Sequence, residues 1–257
     1  MRYKKTVASI AIILVLLIMF FMPLLLFEKP DTILLSFDLE DNISEDNVRD
    51  LLGLLAAHNV HATFFVTGEV TENHPELIQE IEKTGHEIGC QSYEKVNLKK
   101  LNFSEQTHQI EECIFAVDDV IGELPTGFRA PFRKENPLTA EILKASAMHY
   151  DASGIENVPL YFPNPMVYPL DTSSYFIFPM SDNILMNYYG FSENMFFRLL
   201  VNYPGDVGVF SFEPELIMQS KENFNELLKY WDRRDVQFVT HEERYQKVIE
   251  EAISNDG

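Results

Sequence analysis

Residues 61–89 read HATFFVTGEVTENHPELIQEIEKTGHEIG, and this stretch decides the fold class. Its first six residues, 61–66, are apolar and partly β-branched, which predicts a buried strand. Residues 75–83 have the spacing of an amphipathic helix that begins at a proline, and Gly85 closes it as a left-handed residue. Residues 86–88 then begin another strand. Strand, helix and strand in this order predict a βαβ unit with parallel strands.

The same alternation continues along the chain. Further strands are predicted at 32–37, 127–129, 149–151, 207–212 and 236–239, and further helices at 48–55, 104–122, 139–147 and 224–231. About seven parallel strands predict an α/β fold, a distorted (β/α) barrel that is closed or nearly closed, in one domain at residues 31–250. Residues 155–190 are rich in proline and aromatic residues and interrupt this rhythm, which indicates a long irregular insertion.

An uncharged segment at residues 7–27 is long enough to cross a bilayer as a helix. Basic residues within 1–6 precede it, whereas Glu28 and Asp31 follow it. The positive-inside rule therefore predicts a cytoplasmic tail at 1–6, a single-pass anchor in the cell membrane and an extracytoplasmic domain. A cleaved signal peptide is the alternative, but the apolar run is long and ends without a small-residue cleavage site.

The charge of the chain excludes one class of partner. Forty acidic residues against twenty basic ones give a formal net charge of −20. A field of this sign repels nucleic acid, so we expect no nucleic-acid binding. The excess charge itself is best interpreted as a solvated acidic surface.

The two cysteines, Cys90 and Cys113, lie on the extracytoplasmic side of the predicted anchor. A disulfide is permitted there, but two buried free thiols are the slightly preferred interpretation from sequence.

Three acidic residues, Asp38, Glu40 and Asp41, directly follow the first predicted strand. In a parallel barrel the functional groups lie at the carboxyl ends of the strands. These acids are therefore candidate site residues, although a solvated acidic loop would have the same composition.

The order of motifs resembles the polysaccharide deacetylases of the NodB-homology family, carbohydrate esterase family four. The motifs that carry the resemblance are SFDLED at 36–41, HATFFVTG at 61–68, HPEL at 74–77, GHEIG at 85–89 and FRAP at 128–131. The resemblance covers residues 32–245 and implies one divalent metal, commonly zinc, that assists removal of the acetyl group from N-acetylated polysaccharide. It also implies that Asp38 is the catalytic base and Glu40 the metal ligand, with Asp41 as the alternate ligand.

The family's metal-binding histidine pair is missing from this chain. Family members follow GHEIG with one residue and then His-x-x-x-His, whereas Gln91 and Lys95 stand at these two positions here. Glutamine is a poor zinc ligand and an ammonium group repels a cation, so zinc cannot bind in the usual way. Two arrangements could replace the zinc site. In the first, Glu94 joins Asp38 and Glu40 in an oxygen-rich site for magnesium or calcium. In the second, which we favour, Lys95 forms an ion pair with the acids that follow the first strand.

Three further family positions are occupied. Arg129 matches the arginine that orients the catalytic aspartate, and it would contact Asp38 equally as a structural salt bridge. Asp151, within Tyr150-Asp151-Ala152-Ser153, matches an aspartate that positions the site. Glu213 stands where the family has a histidine that acts as general acid, a role that a carboxylic acid can take when it is buried.

Two functions follow from this resemblance. The favoured one is a membrane-anchored domain that faces N-acetylated cell-surface glycan and has weakened or lost metal-dependent deacetylation, with aromatic residues such as Tyr161 and Phe162 available for stacking on sugars. The alternative is an active carbohydrate N-deacetylase, a hydrolase of non-peptide C–N bonds, that uses a non-standard metal site.

Overall fold

A computed structural model of the chain describes residues 31–40, 43–153, 168–169, 176–177 and 207–255. Strands and helices alternate through most of these residues. The strands are β1 (Thr32–Leu39), β2 (Thr63–Val66), β3 (Glu87–Cys90), β4 (Gly127–Phe128), β5 (Tyr150–Asp151), β6 (Tyr168–Pro169), β7 (Phe176–Ile177), β8 (Val207–Phe212) and β9 (Gln237–Phe238). The helices are α1 (Glu45–Ala57), α2 (Gly68–Asn73), α3 (Pro75–Lys83), α4 (Phe103–Ile121), α5 (Pro137–Ala145), α6 (Pro214–Gln219), α7 (Lys221–Asp232) and α8 (His241–Asn255). Two 3-10 turns, Leu98–Lys100 and Pro131–Arg133, complete the described elements.

The strands form one sheet in the order β6-β7-β5-β4-β3-β2-β1-β8, and β9 pairs with the start of β1. Every pairing is parallel except that of β6 with β7, which is antiparallel. The predicted parallel α/β fold is therefore confirmed. Among the described residues the edge strands β6 and β8 do not pair, so this part of the chain forms a curled half-barrel rather than the closed barrel that was one expectation.

Alternation along the strands sorts their side chains onto two faces of the sheet. From β1, Ile33, Leu35 and Phe37 pack into the main core beneath the helices. Leu34 points the other way, into a smaller cluster that also holds Phe65 and is covered by α8. Because Ser36 and Asp38 have the same parity as Leu34, the period of two places them on this second face.

The boundaries of the βαβ unit in residues 61–89 agree with the prediction. Helix α3 spans Pro75–Lys83, and Gly85 has a φ of 87°, in the left-handed region that glycine adopts without strain. Three helices were not predicted from the sequence, namely α2, α6 and α8. The first two are six residues long, too short for a clear period of 3.6 residues.

Cys90 and Cys113 form a disulfide that joins the end of β3 to the middle of α4. The preference for two free thiols was wrong. Sequence separation gave no information on this point, because the contact depends on how α4 packs across the sheet. The disulfide fixes β3 one residue before Gln91, at the edge of the candidate site.

The predicted anchor at residues 7–27 lies outside the described residues, as does most of the insertion at 155–190, including Tyr161 and Phe162. Among the helices that the structure describes, none has the length and apolar character needed to cross a bilayer. The anchor therefore stays a prediction.

Candidate active site

The centre of the candidate site is the Asp38 carboxylate near the end of β1, and side chains from three other parts of the sheet converge on it. Its Oδ1 accepts hydrogen bonds from Arg129 Nη1 at 2.7 Å and from Gln91 Nε2 at 3.3 Å. Its Oδ2 accepts one from Ser211 Oγ at 3.3 Å. Because β1 lies between β2 and β8 in the sheet, residues distant in sequence meet at its carboxyl end.

Arg129 is the most extensively bonded side chain of the site and is only 1 % exposed. In addition to Asp38, it donates to Ser211 Oγ at 2.9 Å, to Ser36 Oγ at 2.8 Å and to the Ala152 carbonyl oxygen at 3.1 Å. Its guanidinium carbon lies 4.0 Å from the centre of the Phe65 ring. Contact between Arg129 and Asp38, which both interpretations of the arginine predicted, is therefore present.

Lys95 forms an ion pair with Glu40, as the favoured interpretation of the degenerate motif predicted. Both side chains are partly shielded, and burial is the largest influence on Glu40 and raises its pKa. The hydrogen bond from Lys95 opposes this effect, whereas the negative charge of Asp38 adds to it. A fixed ammonium group thus occupies the neighbourhood of the carboxylate that the family resemblance assigns to the metal.

Gln91 continues the line of β3, since its backbone N–H donates to the Val66 carbonyl oxygen at 2.9 Å. Its side chain is fully buried at 0 % exposure. The amide donates to Asp38 through Nε2, but Oε1 accepts no hydrogen bond from the described residues. A buried acceptor without a donor destabilises a fold by about 1–3 kcal/mol, so this atom is exceptional among buried polar groups.

The donor set does not fit zinc. Asp38 already faces Arg129 and Glu40 already faces Lys95, so a divalent cation would have to enter beside two fixed positive charges. No cluster of three histidine, cysteine or acidic side chains suited to a metal occurs within the described residues.

The proposed oxygen-rich substitute for the zinc site is also not assembled. Glu94 is exposed and its Oε2 accepts from Gln109 Nε2 at 3.2 Å, so the structure does not bring it together with Asp38 and Glu40 and its role as a ligand stays a prediction. The turn after β3 directs Glu94 toward α4, because the Glu94 backbone N–H also donates to Gln109 Oε1. Asp41, the alternate ligand, lies outside the described residues.

Asp151 acts on the site through Ser153. Its Oδ1 accepts from the Ser153 backbone N–H at 2.7 Å and from the Ser153 hydroxyl, which in turn accepts from the Ala130 backbone N–H at 2.8 Å. Ala130 directly follows Arg129, so this chain of bonds supports the predicted positioning role of Asp151.

The turn that follows Ala130 is unusual in its backbone. Phe132 and Arg133 both have positive φ angles, 55° and 54°, a conformation that non-glycine residues seldom adopt. Burial and the nearby Arg129 lower the pKa of Arg133 to about 10, while Asp38 opposes the shift. Strained backbone of this kind is concentrated at functional sites.

Glu213 is exposed at the residue before α6. Its charge contributes to the raised pKa of Glu40, which places it on the same side of the sheet as the other acids. The burial that a carboxylic acid needs in order to act as general acid is missing, however, because β8 ends one residue earlier and leaves Glu213 in the open turn.

His86, in the GHEIG motif, is a structural residue with a testable pH dependence. Its Nδ1 accepts from the Ala62 backbone N–H at 3.1 Å, and burial, with a smaller contribution from His61, lowers its pKa from 6.5 to about 4. As pH falls, the unfolded chain therefore binds a proton before the folded one, and we expect the contribution of His86 to the free energy of unfolding to fall by about 2 kcal/mol between about pH 7.5 and 5. Buried His241, whose pKa is also lowered by burial, adds to the fall in the same direction. Urea titrations that follow the fluorescence of Trp231, the single tryptophan, measure this change. His86→Asn should reduce the slope, whereas replacement of the exposed His108 should not; an unchanged slope in His86→Asn would contradict the assignment.

Sequence reasoning missed Ser36, Ser211 and Phe65, which all contact Arg129. The sequence did contain a signal for the two serines. Ser36 and Ser211 are polar residues inside otherwise apolar strands, and two such residues on one face of a buried sheet indicate a shared partner.

Comparison with known proteins gives relatives that include several deacetylases and an uncharacterized protein. Residues 28–150 match the family model for polysaccharide deacetylase. The peptidoglycan-N-acetylglucosamine deacetylase PgdA of Listeria monocytogenes is 36% identical over 109 residues, 42% of this chain and 23% of that protein. The uncharacterized protein YlxY of Bacillus subtilis is 32% identical over 109 residues, 41% of this chain and 34% of that protein. The matched stretch thus spans about a third or less of these curated relatives.

Solved structures share the fold at low sequence identity. A putative polysaccharide deacetylase from Mycobacterium smegmatis superposes with a TM-score of 0.72 at 20% identity, covering 86% of this chain and 91% of that one. A CE4 family pseudoenzyme from Bacillus anthracis superposes with a TM-score of 0.65 at 14% identity, covering 84% of this chain and 66% of that one. A mutant of that pseudoenzyme with restored enzymatic activity matches as well. Residues 28–150 thus match the polysaccharide deacetylase family, and the order of the motifs and the parallel sheet agree with this match.

Proposed function

We propose that the chain is a membrane-anchored, extracytoplasmic domain that binds N-acetylated cell-surface glycan and has lost metal-dependent deacetylation. The observation that carries this proposal is the ion pair of Lys95 with Glu40, the carboxylate that the family resemblance assigns to the metal. With this carboxylate neutralised from within the chain, a metal gains little from entering, and hydrolysis lacks its Lewis acid.

Two features support the extracytoplasmic location. The predicted anchor at residues 7–27 has its basic residues on the N-terminal side, and the domain behind it contains a disulfide. Disulfides persist in oxidising compartments and are rare in the cytosol. The relatives named as peptidoglycan deacetylases favour peptidoglycan as the glycan.

The alternative is an active deacetylase with a non-standard metal site, and the intact Asp38–Arg129 pair favours it. Direct measurement distinguishes the two functions. The full chain, purified in mild detergent, is assayed for bound metal, for acetate release from N-acetylglucosamine oligomers and for binding to the same oligomers. We expect binding without acetate release and without stoichiometric metal. Acetate release that depends on metal and disappears in Asp38→Asn would establish the alternative instead.

Restoring the two imidazoles should create a zinc site. In Gln91→His/Lys95→His the ammonium group is removed and two good zinc ligands are added beside Asp38 and Glu40. We expect close to one equivalent of zinc in this variant, against less than about a tenth in the wild type, measured by elemental analysis after dialysis. The matched control is Gln91→Ala/Lys95→Ala, which removes the cation without adding ligands. Equal zinc in both double variants would show that the imidazoles do not meet one ion.

A further inference from the structure

Two glutamines of the described residues are fully buried, and their hydrogen bonding differs. Gln106 is satisfied: its Nε2 donates to the Leu101 carbonyl oxygen at 3.0 Å, and its Oε1 accepts from Thr139 Oγ1 at 2.6 Å. Gln91 is not, because its Oε1 has no donor within the described residues. Gln91 is also the glutamine that touches Asp38 at the candidate site.

The orientation of the Gln91 amide is determined by its neighbour. Asp38 Oδ1 already accepts from Arg129, which identifies it as a carboxylate acceptor, so the amide group must turn its NH₂ toward it. The reverse orientation would bring two oxygen atoms together. The unpaired atom is therefore an acceptor, and the missing partner must be a donor.

The charges nearby indicate that this donor is neutral. Asp38 is compensated by Arg129, and Glu40 by Lys95. An ammonium group would enter beside these two cations, whose carboxylate partners are already compensated. An amide N–H brings no charge, and it brings a carbonyl oxygen that a lysine ammonium can bond.

The rim of the site has an apolar surface of suitable size. The Phe132 side chain is 56 % exposed, and Lys95 Nζ lies 5.5 Å from the centre of its ring. The positive φ angles of Phe132 and Arg133 belong to the turn that carries this ring at the edge of the site. An exposed aromatic ring beside a polar site suits the face of a sugar or the methyl group of an acetamide.

We propose that Gln91 Oε1 accepts the N–H of an acetamido group and so makes the site selective for N-acetylated over de-N-acetylated hexosamine. This inference rests on the glycan binding proposed above and adds the residue that determines specificity. Gln91 Oε1 is covered in the absence of ligand, so a side chain at the rim moves aside on binding.

The test compares affinity and stability in the same variants of the full chain in detergent. The probes are the tetramers of N-acetylglucosamine and of glucosamine, titrated by calorimetry. We expect the wild type to bind the N-acetylated tetramer about tenfold more tightly, a difference typical of one hydrogen bond in a shielded site. In Gln91→Met this preference should disappear, while Tm rises by about 2 °C because an unpaired buried acceptor is removed.

Gln106→Met is the matched control, since it makes the same replacement at a satisfied glutamine. It should lower Tm, because Thr139 and the Leu101 carbonyl oxygen lose their partner, and it should keep the tenfold preference. A wild type that binds both tetramers equally overturns the role of Gln91 but leaves glycan binding intact, whereas binding of neither tetramer overturns both proposals. A fall in Tm in Gln91→Met shows that water already satisfies Oε1 and also overturns the inference.

Discussion

Arg129→Met should destabilise the domain by about 3–5 kcal/mol, the typical loss when one partner of a buried, hydrogen-bonded ion pair is removed. The guanidinium is almost completely buried and bonds two strand serines, Ser36 and Ser211, together with Asp38 and the Ala152 carbonyl oxygen. Methionine fills much of the volume but leaves these partners unpaired. The expected fall in Tm is about 10 °C. Heating measures the fall in Tm and urea titration measures the loss of free energy, both by the fluorescence of buried Trp231.

Arg49→Met is the matched control for this prediction. Arg49 forms ion pairs with Glu45 and Glu80, but its side chain is 40% exposed, so its loss should leave the stability almost unchanged. Arg129→Lys tests geometry, because lysine keeps the charge but cannot bond several partners with a planar fork. An Arg129→Met variant as stable as the control would show that the arginine serves only the ligand and not the fold.

Loss of the disulfide should have the second largest effect. Cys90 and Cys113 are separated by 23 positions, and closing a loop of this length lowers the entropy of the unfolded chain by an amount equivalent to about 3–4 kcal/mol. Cys90→Ala/Cys113→Ala should therefore unfold at lower urea concentration. Gln91 directly follows Cys90 at the end of β3, so this variant should also weaken glycan binding.

A reductant separates the cross-link from the packing of the two side chains. Wild-type protein unfolded with a reductant present should approach the midpoint of the double variant, since both lack the cross-link in the unfolded state. The double variant itself should not respond to the reductant. A wild-type midpoint that is insensitive to reductant would show that the cysteines are not paired in the purified protein, and the support for an oxidising compartment would be lost with it.

The elements of the fold were largely predictable because they depend on local periodicity. The strand at 61–66 and helix α3 follow from the alternation of apolar residues, and the helix ends follow from Pro75 and Gly85. Helix α8 was missed although it spans fifteen residues, His241–Asn255. Its composition is dominated by charged residues, and the few apolar residues on one side give only a weak helical period. Its place beneath the second face of the sheet is a result of tertiary packing.

The candidate site was predictable only where a motif names the residue. Asp38, Arg129 and the ion pair of Lys95 with Glu40 could be expected from the family pattern. The directions of Lys95 and Glu94 could not be predicted, because adjacent residues in a turn can point to opposite sides: Lys95 bonds Glu40 in the site, whereas Glu94 bonds Gln109 on α4. No pattern in the sequence indicates that Gln91 Oε1 would be left without a donor.

By itself the sequence determined three properties of this protein: a parallel α/β sheet, the order of the deacetylase motifs, and the absence of the histidine pair from its two positions. These are properties of residues near one another along the chain. The tertiary structure alone decided which of the acids Lys95 bonds, that Gln91 keeps an unpaired oxygen, and that Cys90 pairs with Cys113. Such contacts depend on distances across the sheet, where burial makes each charge and each unpaired acceptor matter energetically.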